Sequence, residues 1–305
     1  MSRRKVKFGA IFVAFAIAIA GINSAIANEK RSNYPLTLVS AGFETKLEKK
    51  PTRIISLSPS ATEILFAIKA GPQVLAVDDN SNYPAEIPKS ELSSFTPNVE
   101  AIAAMKPDLV ILQINATNAR NVQGALSKLE IPVFVEPSAR NLNDTYREIS
   151  LLGLATDRNS AAYSLINTMK KRISKTIKST RSKEKKTFFH ELDNTLYTAT
   201  SKTFIGRVYK DLGLINIADA AAIADKSGYP QLSAEYLINS NPNFIFLSNA
   251  QYGESKDTVS ARPGWKTIDA VKSGRIIELP ADIPSRWGPR IADFYEFVAK
   301  AIKRS

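Results

Sequence analysis

Residues 100–112 read EAIAAMKPDLVIL, and residues 235–247 read EYLINSNPNFIFL. Each phrase opens on Glu, carries Pro seven positions later, continues with Asp or Asn, and closes with a short apolar run ending in Leu. Proline cannot extend a helix, so the pattern reads as a short helix, a stop and a buried strand. One copy falls in each half of the chain, which predicts an internal repeat and two similar lobes. Two lobes enclose a cleft, and clefts between lobes are where ligands bind.

Working outward from the first copy, residues 36–40 and 43–47 flank Ala41-Gly42 as a β-hairpin. Strands are expected at 54–57, 74–77, 109–112 and 133–135, helices at 61–68, 99–105 and 118–129, and a loop over 78–98. Residues 142–154 then read as one helix and 157–180 as a longer one. In the longer helix Ala162, Leu165, Ile166, Met169, Ile173 and Ile177 follow helical spacing. At a rise of about 1.5 Å per residue it would be a rod of about 36 Å, long enough to bridge two lobes. The second half repeats the order, with strands at 187–189, 215–217, 244–247 and 276–279 and helices at 204–212, 234–238, 265–271 and 291–302. Residues 191–201 and 218–230 read as loops. Strands alternating with helices predict an α/β fold with parallel sheets. The expected organisation is a signal peptide over 1–27, an N-terminal α/β lobe over 28–140, a linking helical segment over 141–183 and a C-terminal α/β lobe over 184–305.

Arg3, Arg4, Lys5 and Lys7 precede an apolar run from Phe8 to Ile22 that ends near Ala25-Ile26-Ala27. A charged region, an apolar region and a small-residue site are the pattern of a cleaved secretory signal. The chain has no cysteine, hence no disulfide and no site for lipid attachment. The expected address is periplasmic or secreted. The formal charge is +12, or +8 with the four N-terminal cations set aside. Much of the excess lies in Lys170–Lys186. That stretch reads either as a surface for an anionic partner or as the solvated face of a helix. No aromatics interleave the lysines, so nucleic acid is not expected.

Catalytic patterns are lacking. His190 is the single histidine. No G-x-S-x-G surrounds a serine, and no paired-carboxylate, glycine-rich or Walker pattern stands out. Zinc or manganese capture needs several His and carboxylate ligands, so no metal site is expected. The reading is therefore not an enzyme and needs no cofactor. Glu100 and Glu235 are either helix-start acids favoured by the helix dipole or a pair of exposed carboxylates suited to two arginines on a symmetric partner. Loops at strand ends, where α/β folds bind ligands, carry Tyr83, Phe95, Tyr197, Tyr229, Asp282, Arg286 and Trp287, with Gln113 at a strand end. Rings supply apolar area and phenol oxygens reach polar edges, which suits a flat amphipathic ligand. Arg286 would meet a polar or anionic part of that ligand, or would pair with Asp282.

The stretches RIISLSPSATEILFAI at 53–68, YPAEI at 83–87, NVEAIAAMKPDLVIL at 98–112, YPQLSAEYL at 229–237 and ADIPSRWGPRI at 281–291 resemble the class III periplasmic solute-binding proteins of ABC importers, the cobalamin and ferric-siderophore group. The resemblance runs from about residue 51 to the end. It implies two Rossmann-like α/β lobes with central parallel sheets, joined by a single long rigid α-helix. It also implies a monomer that delivers a small-molecule ligand to an ABC permease dimer with its ATPase subunits. In that family an acidic residue on each lobe grips arginines of the permease, which by motif position are Glu100 and Glu235. Resemblance to the corrinoid-binding members points to Tyr83 and to Asp282–Arg286 as ligand contacts. Those members place tryptophans where Phe95, Gln113 and Tyr229 stand here. A corrinoid ligand is expected first, with a ferric siderophore and then haem as alternatives.

Overall fold

In a computed structural model describing residues 33–116, 118–180, 184–221, 226–280 and 282–303, the two repeated phrases occupy matching places in two sheets of the same topology. The first half runs β1 (Leu36–Ser40), β2 (Phe43–Leu47), β3 (Ile54–Leu57), α1 (Pro59–Ala67), β4 (Val74–Val77), α2 (Val99–Ala104), β5 (Leu109–Gln113), α3 (Ala119–Lys128) and β6 (Val133–Glu136). Helices α4 (Leu142–Ala155) and α5 (Asn159–Thr180) follow. The second half runs β7 (Thr187–Glu191), α6 (Phe204–Asp211), β8 (Ile215–Asn216), α7 (Ala218–Ala221), α8 (Ala234–Ser240), β9 (Phe244–Leu247), α9 (Lys256–Ser260), α10 (Asp269–Lys272), β10 (Ile276–Glu278) and α11 (Ile291–Lys303).

The first sheet has the order β4-β3-β5-β6 and the second β8-β7-β9-β10, with every pairing parallel. Each copy of the phrase is thus a short helix feeding a central strand, α2 into β5 and α8 into β9. The residue after each proline does the same work in both. Asp108 accepts hydrogen bonds from the Thr52 and Arg53 amides, each at 2.9 Å, ahead of β3. Asn243 Oδ1 accepts from the Thr187 amide at 2.9 Å, at the start of β7. In each half this side chain ties the start of one central strand to its neighbour. The recurrence of Asp or Asn therefore has a structural cause.

The inner faces of both sheets share one apolar core. It runs from Ile54, Leu109, Ile111 and Phe134 through α1, α4 and α5 to α6, α11, Phe188, Phe244 and Phe246. The outer faces have separate cores, under α2 and α3 in the first half and under α8 and α10 in the second. Helix α5 buries Ala162, Ile166, Met169, Ile173, Thr176 and Thr180. Steps of four and three residues keep one stripe facing inward along the helix. That stripe packs on α4 and α11. Its 22 residues span about 33 Å.

The hairpin, most strands and the long helix lie within a residue or two of their expected limits, and four expectations need correction. Strand β7 continues through His190 and Glu191, both fully buried. The run 218–230 is not all loop, since Ala218–Ala221 forms a helical turn. The helix expected at 265–271 is broken at Ile268, which is extended at φ −73°, ψ 134°. Helix α9 was not anticipated. The signal-peptide reading falls outside the described residues, as do residues 181–183 of the charged stretch. Among the described residues no helix is long and apolar enough to cross a membrane.

His190 stands on β7 inside the shared core. Its Nδ1 is 2.8 Å from the Tyr209 hydroxyl, and Nε2 has no partner among the described residues. Burial disfavours the imidazolium and lowers the pKa to about 3. The unfolded chain takes up the proton near the ordinary histidine value of about 6.5, before the native chain does, so this group withdraws stability as pH falls below that value. Urea denaturation of wild type and His190→Gln should diverge accordingly. The wild type is expected to lose about 2 kcal/mol more than the variant between pH 6.5 and 5, and parallel pH profiles would contradict this.

Candidate functional site

The C-terminal ends of β3, β5 and β6 present Ser58, Gln113 and Glu136 on one edge of the first sheet. The segment Ser285–Trp287, from the second half, lies over them and closes a recess of about 150 Å³. Two contacts hold that segment. A β-carbon on Gly288 would stand 3.2 Å from the Ser60 carbonyl oxygen, so the glycine lets the chain pass close to α1 without crowding it. Trp287 stacks on Phe204 at 5.4 Å between centroids, and its Nε1 donates to the Pro284 carbonyl at 3.3 Å.

Asp282 sits in the left-handed region at φ 67°. Its carboxylate accepts from the Asn82 side-chain amide of the first half. It also pairs with Arg286 at 3.3 Å. Arg286 donates to the Asn80 carbonyl at 3.2 Å, while its Nε is buried without a partner among the described residues. The ion pair considered from the sequence is therefore formed, and it bridges loops of both halves.

Gln113, Arg286 and Trp287 thus share one recess, with Asp282 tied to Arg286. Tyr83 lies elsewhere. It faces Arg290, whose guanidinium is 4.4 Å from the ring centroid, in a separate cavity of about 340 Å³ beside α1 and α5. Arg290 in turn grips Glu63 of α1 through both carboxylate oxygens, with Nε to Oε2 at 2.9 Å. Burial pushes Glu63 up, opposed by Arg290.

Tyr197 and Tyr229 lie on opposite strands of a short antiparallel ladder of the second half, where Tyr197 bridges Gln231 and the Thr198 amide donates to the Pro230 carbonyl. Tyr229 is half-buried against the shared core. Phe95 follows Ser94, whose carbonyl accepts from Gln113 Nε2 at 3.2 Å. Tyr83, Phe95 and Tyr197 are 48%, 58% and 41% exposed.

A paired carboxylate, which the sequence did not suggest, lies in the recess. Glu136 ends β6 and Glu148 sits on the buried face of α4, 6% and 3% exposed. Glu136 Oε2 and Glu148 Oε1 have no ordinary donor among the described residues, so the two groups can pair only by sharing a proton. Burial raises both, Glu148 well above the ordinary carboxylate range with the Glu136 charge adding to it. Glu148 and Ser58 donate to Glu136 and hold it lower. Two signals were available in the sequence: an acid at a strand's C-terminal end, and an acid on the apolar stripe of a helix.

Glu100 and Glu235 occupy the same position in their helices. Asn98 caps α2 by accepting from the Ala101 amide, and Ser233 caps α8 by accepting from the Tyr236 amide. Each Glu stands two residues past its cap and is exposed. In the second half a buried network lies at the end of β7: Arg262 holds Glu191 with two contacts of 2.7 Å, and Asn249 donates to the same carboxylate at 2.9 Å.

Comparison with known proteins gives the family of the chain. A family model described as periplasmic binding protein matches residues 54–283. The chain is 31% identical over 286 residues to an uncharacterized ABC transporter substrate-binding lipoprotein of Bacillus subtilis, covering 90% of this chain and 88% of that one. It is 28% identical to a vitamin B12-binding protein of Vibrio parahaemolyticus, over 78% of this chain and 84% of the other. Among solved structures it is similar to a possible iron-binding (periplasmic solute-binding) protein of Staphylococcus epidermidis. There the TM-score is 0.71 at 29% identity, covering 83% of this chain and 99% of that one.

The Glu63–Arg290 pair joins α1 to the start of α11, and its partners keep only 2% and 14% of their side chains exposed. Arg290→Met should cost about 3–5 kcal/mol in urea denaturation, because it strands a buried carboxylate. Adding Glu63→Leu should recover most of that loss, since a well-packed apolar pair replaces a buried ion pair at little cost. A double variant as unstable as the single one would contradict this account.

Proposed function

The chain belongs to the periplasmic binding protein family, substrate-binding components of ABC importers rather than enzymes, and from that premise we propose that its substrate is a corrinoid held between the two halves. The observation that carries this reading is the state of Arg286. An anionic ferric complex needs a free cation in the cleft, and here that guanidinium is paired with Asp282 and anchored to the Asn80 carbonyl. A broad, nearly neutral ligand instead meets the exposed rings of Tyr83, Phe95 and Tyr197 and the amide of Gln113. The similar vitamin B12-binding protein supports the same substrate.

A ferric siderophore is the second reading, supported by the unpartnered Nε of Arg286 and by the similar structure named for iron. Haem held through histidine is disfavoured, because His190 is fully buried against Tyr209.

Delivery rests on Glu100 and Glu235. Two exposed carboxylates, one per half and each at the first turn of a short helix, suit arginines on a two-fold permease dimer with its ATPase subunits. The ligand passes on without chemistry on this chain. A chain without cysteine fits a free periplasmic or secreted protein, in contrast to the lipoprotein of Bacillus subtilis.

Calorimetric titration with cyanocobalamin, a ferric hydroxamate, a ferric catecholate and haemin tests the substrate. Heat with cyanocobalamin alone is expected, and binding of a ferric complex alone would overturn the corrinoid reading. Glu100→Lys with Glu235→Lys should abolish uptake into vesicles bearing the permease while leaving ligand affinity within about twofold. Affinity that fell in step with uptake would contradict the docking role.

A further inference from the structure

The Glu136–Glu148 pair is the strongest feature of the molecule that transport as described above leaves unused. It sits at the floor of the 150 Å³ recess, whose lip is Arg286 and Trp287. Both carboxyls are more than nine-tenths buried, and each has an oxygen with no ordinary donor among the described residues. Arg286 Nε is a buried donor left in the same state. Donors and acceptors without partners are costly to bury and are retained where something completes them.

We propose that this recess is a subsite for a primary carboxamide arm of the ligand, with the unpartnered oxygens of Glu136 and Glu148 accepting from the amide NH2 and Arg286 Nε donating to its carbonyl. The proposal rests on the corrinoid reading, since a corrinoid carries several such arms. Volume fits: at about 30 Å³ per water the recess holds roughly five waters, enough for an arm and far too little for a macrocycle. The chemistry fits as well. The proton the two carboxyls share lies between them, so the unpartnered Glu136 and Glu148 oxygens are acceptors, Arg286 Nε is a donor, and a primary amide offers one acceptor and two donors. A carboxylate, hydroxamate or phosphate oxygen would instead face the Glu136 charge in a poorly solvated site, where like charges repel strongly. The recess therefore selects for the neutral amide and against its hydrolysis product.

The test changes the ligand rather than the fold. Cyanocobalamin is titrated calorimetrically into the purified protein beside its separated monocarboxylic acids, in each of which one propionamide has become a carboxylate. One monoacid is expected to bind at least about tenfold more weakly than the parent and the other monoacids. Glu136→Gln, which keeps the shape and removes the charge, is expected to erase most of that difference. Equal binding of all the monoacids to wild type would overturn the subsite and leave the corrinoid reading standing. A penalty unchanged in Glu136→Gln would do the same. No cyanocobalamin heat from a protein with wild-type circular dichroism would overturn the corrinoid reading and the subsite together.

Discussion

The buried stripe of α5 is the constraint on which the rest of this structure depends. Ala162, Ile166, Met169 and Ile173 lie between α4 and α11 in an apolar core that includes inner-face residues of both sheets. In this arrangement neither half has an inner core of its own. Opening the cleft by a hinge would expose apolar surface along α5 and α11, at roughly 25 cal/mol for every Å². Ion pairs on the same seam matter less. Arg172 reaches Asp293 and Glu296 at 2.5 and 2.7 Å, but these groups are 39–45% exposed and solvent screens them. Packing, not charge, sets the spacing.

That spacing also sets where the strand-end recess and the two capped glutamates stand. Parallel sheets deliver strand ends to one edge, where Gln113, Glu136, Arg286 and Trp287 line one recess. The helices that feed the central strands start with capped first turns, which places Glu100 and Glu235 at equivalent points on the two halves. The recess and the two capped glutamates are thus set on one frame.

Periodicity made most of the fold readable, because apolar spacing and proline stops are local. What it missed was settled by contacts distant in sequence. Strand β7 looked finished at Phe189, since His and Glu seldom enter a core. Glu191 is buried only because Arg262 and Asn249, 71 and 58 residues away, satisfy its carboxylate. The site was legible in part. Gln113, Arg286 and Trp287 fall together as strand-end logic suggests, whereas Tyr83 is drawn to Arg290, a partner that its own loop does not announce. Glu136 and Glu148 belong to a strand end and a helix stripe that each looked ordinary alone. Only the fold brings them into one recess.

The central claim is that the two halves are held at one separation before any ligand arrives. Since the chain contains no cysteine, Glu100→Cys and Glu235→Cys can be spin-labelled without background. The distance distribution between the labels, measured by pulsed dipolar spectroscopy on the free protein and again with cyanocobalamin, is the most direct test. The account predicts one narrow distribution in the free protein, moving by less than about 2 Å on addition of ligand. A broad or two-peaked distribution in the free protein, collapsing by roughly 5 Å or more when ligand is added, would show hinge closure and contradict it.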